Sequence, residues 1–269
     1  MAVNVVLITG GSSGIGAATA RILAQSGMKV YAASRRGKLE TPSTDIIPIS
    51  MDVNDWEATQ LAVAQILRAE GHLDAVVVNA GSGIYGPVEG TLEKEARSQF
   101  ETNYFGALKT IQACLPVFRQ QGHGRIITVC SVMSVLQLPF QGFYSSVKAA
   151  LLSLSESLSL ELKGSGIQCS AILPGDVATG FTGARKFTAA SEDPASPYRE
   201  QMARNLKKIE ADERNGMSPD VIAKAIRKQL LRKHMAVRVI PRLDYKLVGF
   251  LVRILPAKWV LHVLSLLYN

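Results

Sequence analysis

Short runs rich in Val, Ile and Leu alternate with helix-length stretches from the third residue onward, and this alternation constrains the fold more than any other feature. Residues 3–9, 28–34, 46–51, 73–79, 125–131, 167–173 and 236–240 read as strands. They are continuously apolar instead of alternating, the pattern of strands covered on both faces in a parallel sheet. Residues 15–25, 56–68, 94–119 and 144–162 carry helical patterns between them. Repeated strand–helix units demand right-handed crossovers, which predicts an α/β, doubly wound, three-layer sandwich.

With 269 residues, 47% of them hydrophobic, the chain has the material for one large buried core. We expect a single domain over 1–240 and a helical extension over 241–269. Two stretches break the rhythm. Residues 181–216 are polar and charged with one helical stripe, Tyr198, Met202, Leu206 and Ile209. An insertion of this kind reads either as a mobile flap over a ligand cleft or as a surface helix. The other stretch is the extension itself.

Thirty Lys and Arg against 22 Asp and Glu leave a net charge of +8, concentrated partly at Arg35-Arg36 and over 227–258. No aromatic residues interleave these cations in the manner of a nucleic-acid platform, so no nucleic-acid partner is expected. Cys114, Cys130 and Cys169 lie far apart in apolar runs, and the four histidines are scattered, which argues against disulfides and a metal site. His72 and His123 read as unpartnered surface residues, and Cys130 as a small buried one. The first strand starts at once, so no leader peptide and a cytoplasmic location are expected.

Residues 9–16 read Thr-Gly-Gly-Ser-Ser-Gly-Ile-Gly between a strand and a helix. Glycines there permit a tight turn and a close backbone approach to a pyrophosphate, which then meets the positive helix N-terminus. Ser34, Arg35 and Arg36 follow the second strand, where an NAD site usually carries an acid for the ribose 2′-hydroxyl. Arginine suits a 2′-phosphate instead, so NADP(H) is expected over NAD(H). Tyr144 and Lys148 stand four residues apart on one predicted helical face, where a cation can stabilise a phenolate. Ser131 ends the preceding strand, in position to bond the same substrate oxygen.

The glycine turn, Asn79-Ala80-Gly81, Asn103, Ser131, Tyr144 with Lys148, and Pro174-Gly175 stand in the order and spacing of the single-domain short-chain dehydrogenases/reductases, which the chain resembles over about residues 3–240. The resemblance implies a seven-stranded parallel sheet of Rossmann type, a nicotinamide cofactor and a homodimer or homotetramer. It implies that Tyr144 is the general acid/base, that Lys148 lowers its pKa and binds the nicotinamide ribose, that Ser131 orients the substrate oxygen, and that Asn103 holds a water linking Lys148 to solvent. Gly10, Ser12, Ser13, Gly14, Ile15 and Gly16 fall to the pyrophosphate turn and Asp52-Val53 to the adenine. Asn79, Ala80 and Gly81 line the cofactor cleft, with Pro174, Gly175, Val177 and Thr179 beside the nicotinamide. Val78 stands where the family often has a further Asn.

The substrate side is read from 83–87, from 133–143 with Val135, Leu136, Leu138, Pro139, Phe140 and Phe143, and from the stretch that starts at Phe181. Their apolar character points to a small hydrophobic carbonyl compound or alcohol, and the basic apolar tail resembles family members acting on steroids, retinoids, keto-sphingoid bases or fatty-acyl groups. In the tail, Leu243, Leu247, Phe250, Leu251, Ile254 and Leu255 recur at helical spacing before Pro256, and a second apolar stretch follows from Trp259. Two amphipathic helices broken at Pro256 are predicted. Packing against the pocket or a second subunit is the leading expectation for them, ahead of peripheral contact with a membrane surface. Two other functions fit less well: an extended-branch epimerase or dehydratase, and a non-catalytic NADP-binding sensor or scaffold, which commonly lacks the Tyr or the Lys.

Overall fold

In the computed structural model, which describes residues 3–40 and 43–268, each of the seven apolar runs contains a strand. The chain runs β1 (Val5–Thr9), α1 (Gly14–Ala24), β2 (Lys29–Ser34), β3 (Ile46–Ser50), α2 (Trp56–Glu70), β4 (Ala75–Val78) and β5 (Ile84–Tyr85). It continues through α3 (Glu93–Phe100), a π-helical turn (Glu101–Phe105), α4 (Gly106–Gln121), β6 (Gly124–Val129), a 3₁₀ turn (Val132–Ser134), α5 (Gly142–Glu161) and β7 (Ile167–Ile172). The remainder comprises β8 (Lys186–Phe187), α6 (Ala189–Glu192), α7 (Arg199–Arg214), α8 (Pro219–Leu230), β9 (Arg238–Val239), α9 (Leu243–Ile254) and α10 (Ala257–Tyr268).

Strands β3-β2-β1-β4-β6-β7-β9 form one parallel sheet in that order. Alternate side chains of one strand serve opposite layers, as the two-residue period of a strand requires. Val5 and Leu7 join Ala62, Ile111 and Leu151 beneath α2, α4 and α5, whereas Val6 and Ile8 join Ala20 and Ile222 beneath α1 and α8. Each such Leu or Ile, fully buried, contributes about 1.5–3 kcal/mol. The order reverses at β1, whose neighbours are β2 and β4. A ligand crevice belongs at the carboxyl ends of strands beside such a reversal.

Two local expectations change, and a third stretch takes a definite form. The helix expected over 94–119 is interrupted by the π-helical turn, because Asn103 Nδ2 donates to the Gln99 carbonyl (3.0 Å) and the Ser82 carbonyl (3.1 Å). A side chain that bonds the carbonyl four residues back competes with the helical ladder. His72 and His123 are not without partners: their Nε2 atoms each lie 3.4 Å from a different oxygen of the buried Asp74 carboxylate. That carboxylate also accepts from the Asn4 and Val5 amides, at the amino end of β1. Residues 181–216 are folded onto the domain: β8 pairs with β5, and α7 buries Met202, Asn205 and Ile209.

The extension forms α9 and α10, separated at Pro256 as expected. It does not pack chiefly against the domain. Leu243, Leu247, Phe250, Ile254, Trp259, Leu261 and Leu266 are all exposed, and Leu264 is the buried apolar residue among the described residues of the two helices. Among the described residues, no helix is long and apolar enough to cross a membrane.

Candidate active site

The turn after β1 is shaped by backbone contacts that exclude side chains. Gly10 has φ +63°, and a Cβ on Gly16 would run into the Gly10 carbonyl oxygen and lie 2.7 Å from Asn79 Nδ2. Gly11, donating its N–H to the Ala33 carbonyl (3.0 Å), sits so close to β2 that a Cβ would fall 2.8 Å from that of Ala32. Thr9 Oγ1 accepts from the Asn79 and Ala80 amides at 2.9 and 3.0 Å, while Asn79 Nδ2 donates to the Thr9 and Gly10 carbonyls at 3.0 and 3.2 Å. Ser13 precedes α1 in extended conformation, with Ser12 buried before it and Gly14 and Ile15 opening the helix. The first turn of α1 carries no acid, so no side-chain charge opposes the preference of a helix N-terminus for an anion.

Around this turn the structure gathers the ends of the other strands. Thr179 lies across from Gly14, 3.5 Å from where a Cβ would stand. Pro174 accepts the Val132 amide at 2.8 Å, and Val177 bridges to Met217. Ser34 Oγ is buried without a hydrogen-bond partner beside the exposed Arg35. Arg36 is also exposed, 3.6 Å from Glu40. Asp52 accepts the Asn54 amide at 3.0 Å, and Val53 is buried against Gly106.

Tyr144, Lys148, Ser131 and Asn103 come together at the carboxyl ends of β4 and β6. Lys148 is buried, and Nζ donates to the Val129 carbonyl at 3.0 Å while standing 5.8 Å from the centroid of the Tyr144 ring. Burial holds its pKa below the usual value. Gly81 has Lys148 Nζ 3.6 Å from a would-be Cβ and Asn103 Oδ1 closer still; that oxygen is buried and has no hydrogen-bond partner. Burial also drives the Tyr144 phenol upward, the Ser131 hydroxyl draws it down, Glu213 raises it and Arg185 lowers it. The Lys148 ammonium faces the Val129 carbonyl in this arrangement, 5.8 Å from the phenol ring. The phenol therefore keeps its proton through neutral pH, the form needed for an acid.

The substrate-side segments meet as one aromatic cluster. Phe140, Leu138, Tyr85, Met202 and Ile209 pack together, with Phe140 5.8 Å from Tyr85 and 6.0 Å from Tyr198. Phe140 adopts φ +60°, costly for a bulky side chain, and its carbonyl accepts the Gly86 amide at 2.9 Å. Val135 instead packs against the central core.

Three features escaped the sequence reading. The Thr9 side chain organises the turn, and an Arg185–Glu213 pair lies close enough to act on the Tyr144 phenol, whose ring Phe181 of the expected substrate side meets at 5.8 Å. The last is Tyr245 of α9, whose hydroxyl donates to Asp176 Oδ2 (2.5 Å) and accepts the Asp176 amide (3.1 Å). Its ring fills the space beside Gly175, and burial raises the Asp176 pKa against the pull of this hydrogen bond. An aromatic lying off the apolar stripe of an amphipathic helix was the available signal for Tyr245.

Comparison with known proteins agrees with this geometry. The family described as short chain dehydrogenase matches residues 4–189. The 3-ketodihydrosphingosine reductase of Bacteroides thetaiotaomicron is 38% identical over 261 residues, covering 95% of this chain and 91% of that protein. Retinol dehydrogenase 8 of Bos taurus is 31% identical over 264 residues, covering 90% and 84%. A solved short-chain dehydrogenase from Streptomyces avermitilis superposes with a TM-score of 0.83 at 31% identity, covering 96% of both chains. With the seven-stranded parallel sheet and the residue constellation above, these likenesses place the chain in the short-chain dehydrogenase/reductase family, oxidoreductases acting on CH–OH groups.

Proposed function

We propose that the protein is an NADP(H)-dependent oxidoreductase interconverting a hydrophobic ketone or aldehyde and its alcohol, with Tyr144 as general acid/base. The observation that carries this reading is the gathering of Tyr144 with the Ser131 hydroxyl and Lys148, whose Nζ lies 5.8 Å from the phenol ring and reaches Gly81 beside Asn103. The relatives named for a 3-ketodihydrosphingosine and for retinol support a lipid-like substrate.

The residues fit a dinucleotide on three counts: a turn with no room for a Cβ at Gly11 or Gly16, an acid-free helix N-terminus, and orphaned polar atoms at Ser34 and Asn103. Gly10, Ser12, Ser13, Gly14, Ile15 and Gly16 would hold the pyrophosphate. Asp52 and Val53 would meet the adenine; Asn79, Ala80, Gly81, Pro174, Gly175, Val177 and Thr179 would line the nicotinamide half. When bound, the nicotinamide exchanges a hydride with the carbinol carbon. The protein's part is geometry and the proton. Ser131 orients the carbonyl oxygen, Tyr144 donates its phenolic proton to that oxygen during reduction, and Lys148 would hold the ribose of the bound cofactor. Asn103 Oδ1, buried and without a partner, would hold a water on the path that returns a proton to Tyr144. The test is NADPH consumption across a panel of apolar ketones, aldehydes and 3-oxoacyl compounds. Tight NADPH binding without turnover of any of them would favour the sensor reading.

Arg35 carries the cofactor preference in this proposal, with Arg36 partly engaged by Glu40. Arg35→Ala is expected to weaken NADPH by about tenfold or more while leaving NADH within about twofold, measured by fluorescence titration. Equal losses would place the 2′-phosphate elsewhere.

We further propose that the apolar face of α9 and α10 lies on an anionic membrane surface, flanked by Lys246, Arg253 and Lys258 with Trp259 at the interface. Phe250→Asp with Trp259→Asp should reduce sedimentation with phosphatidylserine vesicles by about tenfold or more. Unchanged vesicle binding refutes it, and a mass that falls to the monomer in the variant assigns the face to a homodimer or homotetramer instead.

A further inference from the structure

Arg185 is a buried cation that the reaction outlined above does not use. Its side chain is 1% exposed, and it is fixed one residue ahead of β8, where Lys186 and Thr188 donate to the Gly83 and Tyr85 carbonyls at 3.0 Å. One guanidinium nitrogen, Nη2, pairs with Glu213 Oε1, and Thr182 Oγ1 donates to Glu213 Oε2 at 2.7 Å. Both carboxylate oxygens are thereby engaged. Arg185 Nη1 is left buried with no hydrogen-bond partner. A shielded guanidinium N–H without an acceptor is costly, and a hydrogen bond made to it is correspondingly strong.

Its surroundings are those of the reacting phenol. Phe181 begins the turn that carries Arg185, its carbonyl accepting the Ala184 amide, and its ring leans on Tyr144. At Gly83 a Cβ would meet the Phe181 ring at 3.0 Å and Arg185 Cγ at 3.8 Å. The charges of Arg185 and Glu213 both act on the Tyr144 hydroxyl.

We propose that Arg185 is a specificity-determining residue, its Nη1 donating a hydrogen bond to a second oxygen of the substrate, a hydroxyl or carbonyl a few atoms from the reacting carbon. Glu213 neutralises the guanidinium, so the site suits an uncharged acceptor better than a carboxylate or phosphate. The favoured substrate is then an oxygen-substituted apolar ketone instead of a plain alkyl ketone. The proposal rests on the reductase reading and deepens it.

The test compares kcat/KM for a β-hydroxy alkyl ketone and the unsubstituted ketone of equal chain length, in the wild type, Arg185→Lys and the double variant Arg185→Met/Glu213→Gln. The double variant removes the cation without stranding a buried carboxylate, and the lysine variant keeps the charge should the double variant not fold. The wild type should prefer the hydroxy ketone by about tenfold or more, and the preference should fall towards unity in either variant. A purely structural tie would lower both substrates by one factor and leave the ratio intact, which overturns the proposal. Equal use of both ketones by the wild type also overturns it while sparing the reductase reading, whereas turnover of neither ketone removes both.

Discussion

Tyr144→Phe is expected to lower kcat for ketone reduction by about a thousandfold, because it deletes the proton donor and little else. NADPH affinity should stay within about threefold of the wild type, since the removed hydroxyl faces Ser131 and not the glycine turn. The two readings are separable: stopped-flow reduction measures the chemical step and fluorescence titration measures binding. A variant that keeps more than a tenth of wild-type turnover would assign the proton to another group. Lys148→Ala would strand the Val129 carbonyl that Nζ now bonds, so its loss of activity would be compounded by destabilisation.

Gly16→Ala is expected to have the second large effect, through shape alone. The added Cβ meets the Gly10 carbonyl oxygen and falls 2.7 Å from Asn79 Nδ2 and 2.8 Å from the Gly10 carbonyl carbon. The atoms in the way are mostly backbone, and Asn79 is itself held by Thr9, so the turn must open instead of a side chain moving aside. Overpacking of this kind costs about 1–3 kcal/mol and should lower Tm by about 5 °C. NADPH binding should weaken by about a hundredfold, because the amides at the start of α1 lose their common aim. Titration within about threefold of the wild type would show that the turn does not carry the pyrophosphate.

The layout of the sheet could be read from residues because its physical cause is local. A run such as Val5-Val6-Leu7-Ile8 buries both faces and admits few other structures. Thr9 to Gly16 was legible as a turn because it needs glycine where φ is positive or backbones touch, at Gly10 and Gly16. What escaped depends on partners distant in the chain. β5 and β8 are two residues each and exist through their pairing across about a hundred residues, so neither leaves a periodic signal. The π-helical turn arises from Asn103 reaching the Ser82 carbonyl, a contact with no pattern in the helix that contains it. Glu213 sits in a helix crowded with charge, where nothing distinguishes the one carboxylate that meets a buried arginine. His72 and His123 looked solitary for the same reason, because they meet only through Asp74.

The tail illustrates how burial decides between readings of one pattern. Its helical spacing was plain, but spacing does not say what covers the apolar face. In the structure Tyr245 and Tyr268 point inward, to Asp176 and to Asp212, while the leucines, Phe250 and Trp259 stay exposed. The extension is thus joined to the loop after β7 and to α7 by two phenols, and its apolar face is free for another surface.

The most direct test of the proposed chemistry follows the hydride itself. Wild-type protein is given NADPH deuterated at the transferable position of the nicotinamide, together with a medium-chain hydrophobic ketone, and the alcohol is examined by mass spectrometry and NMR. The account predicts deuterium on the carbinol carbon in a single configuration, with none formed by Tyr144→Phe on the same timescale. Alcohol without deuterium, or labelled alcohol from both proteins alike, would contradict it.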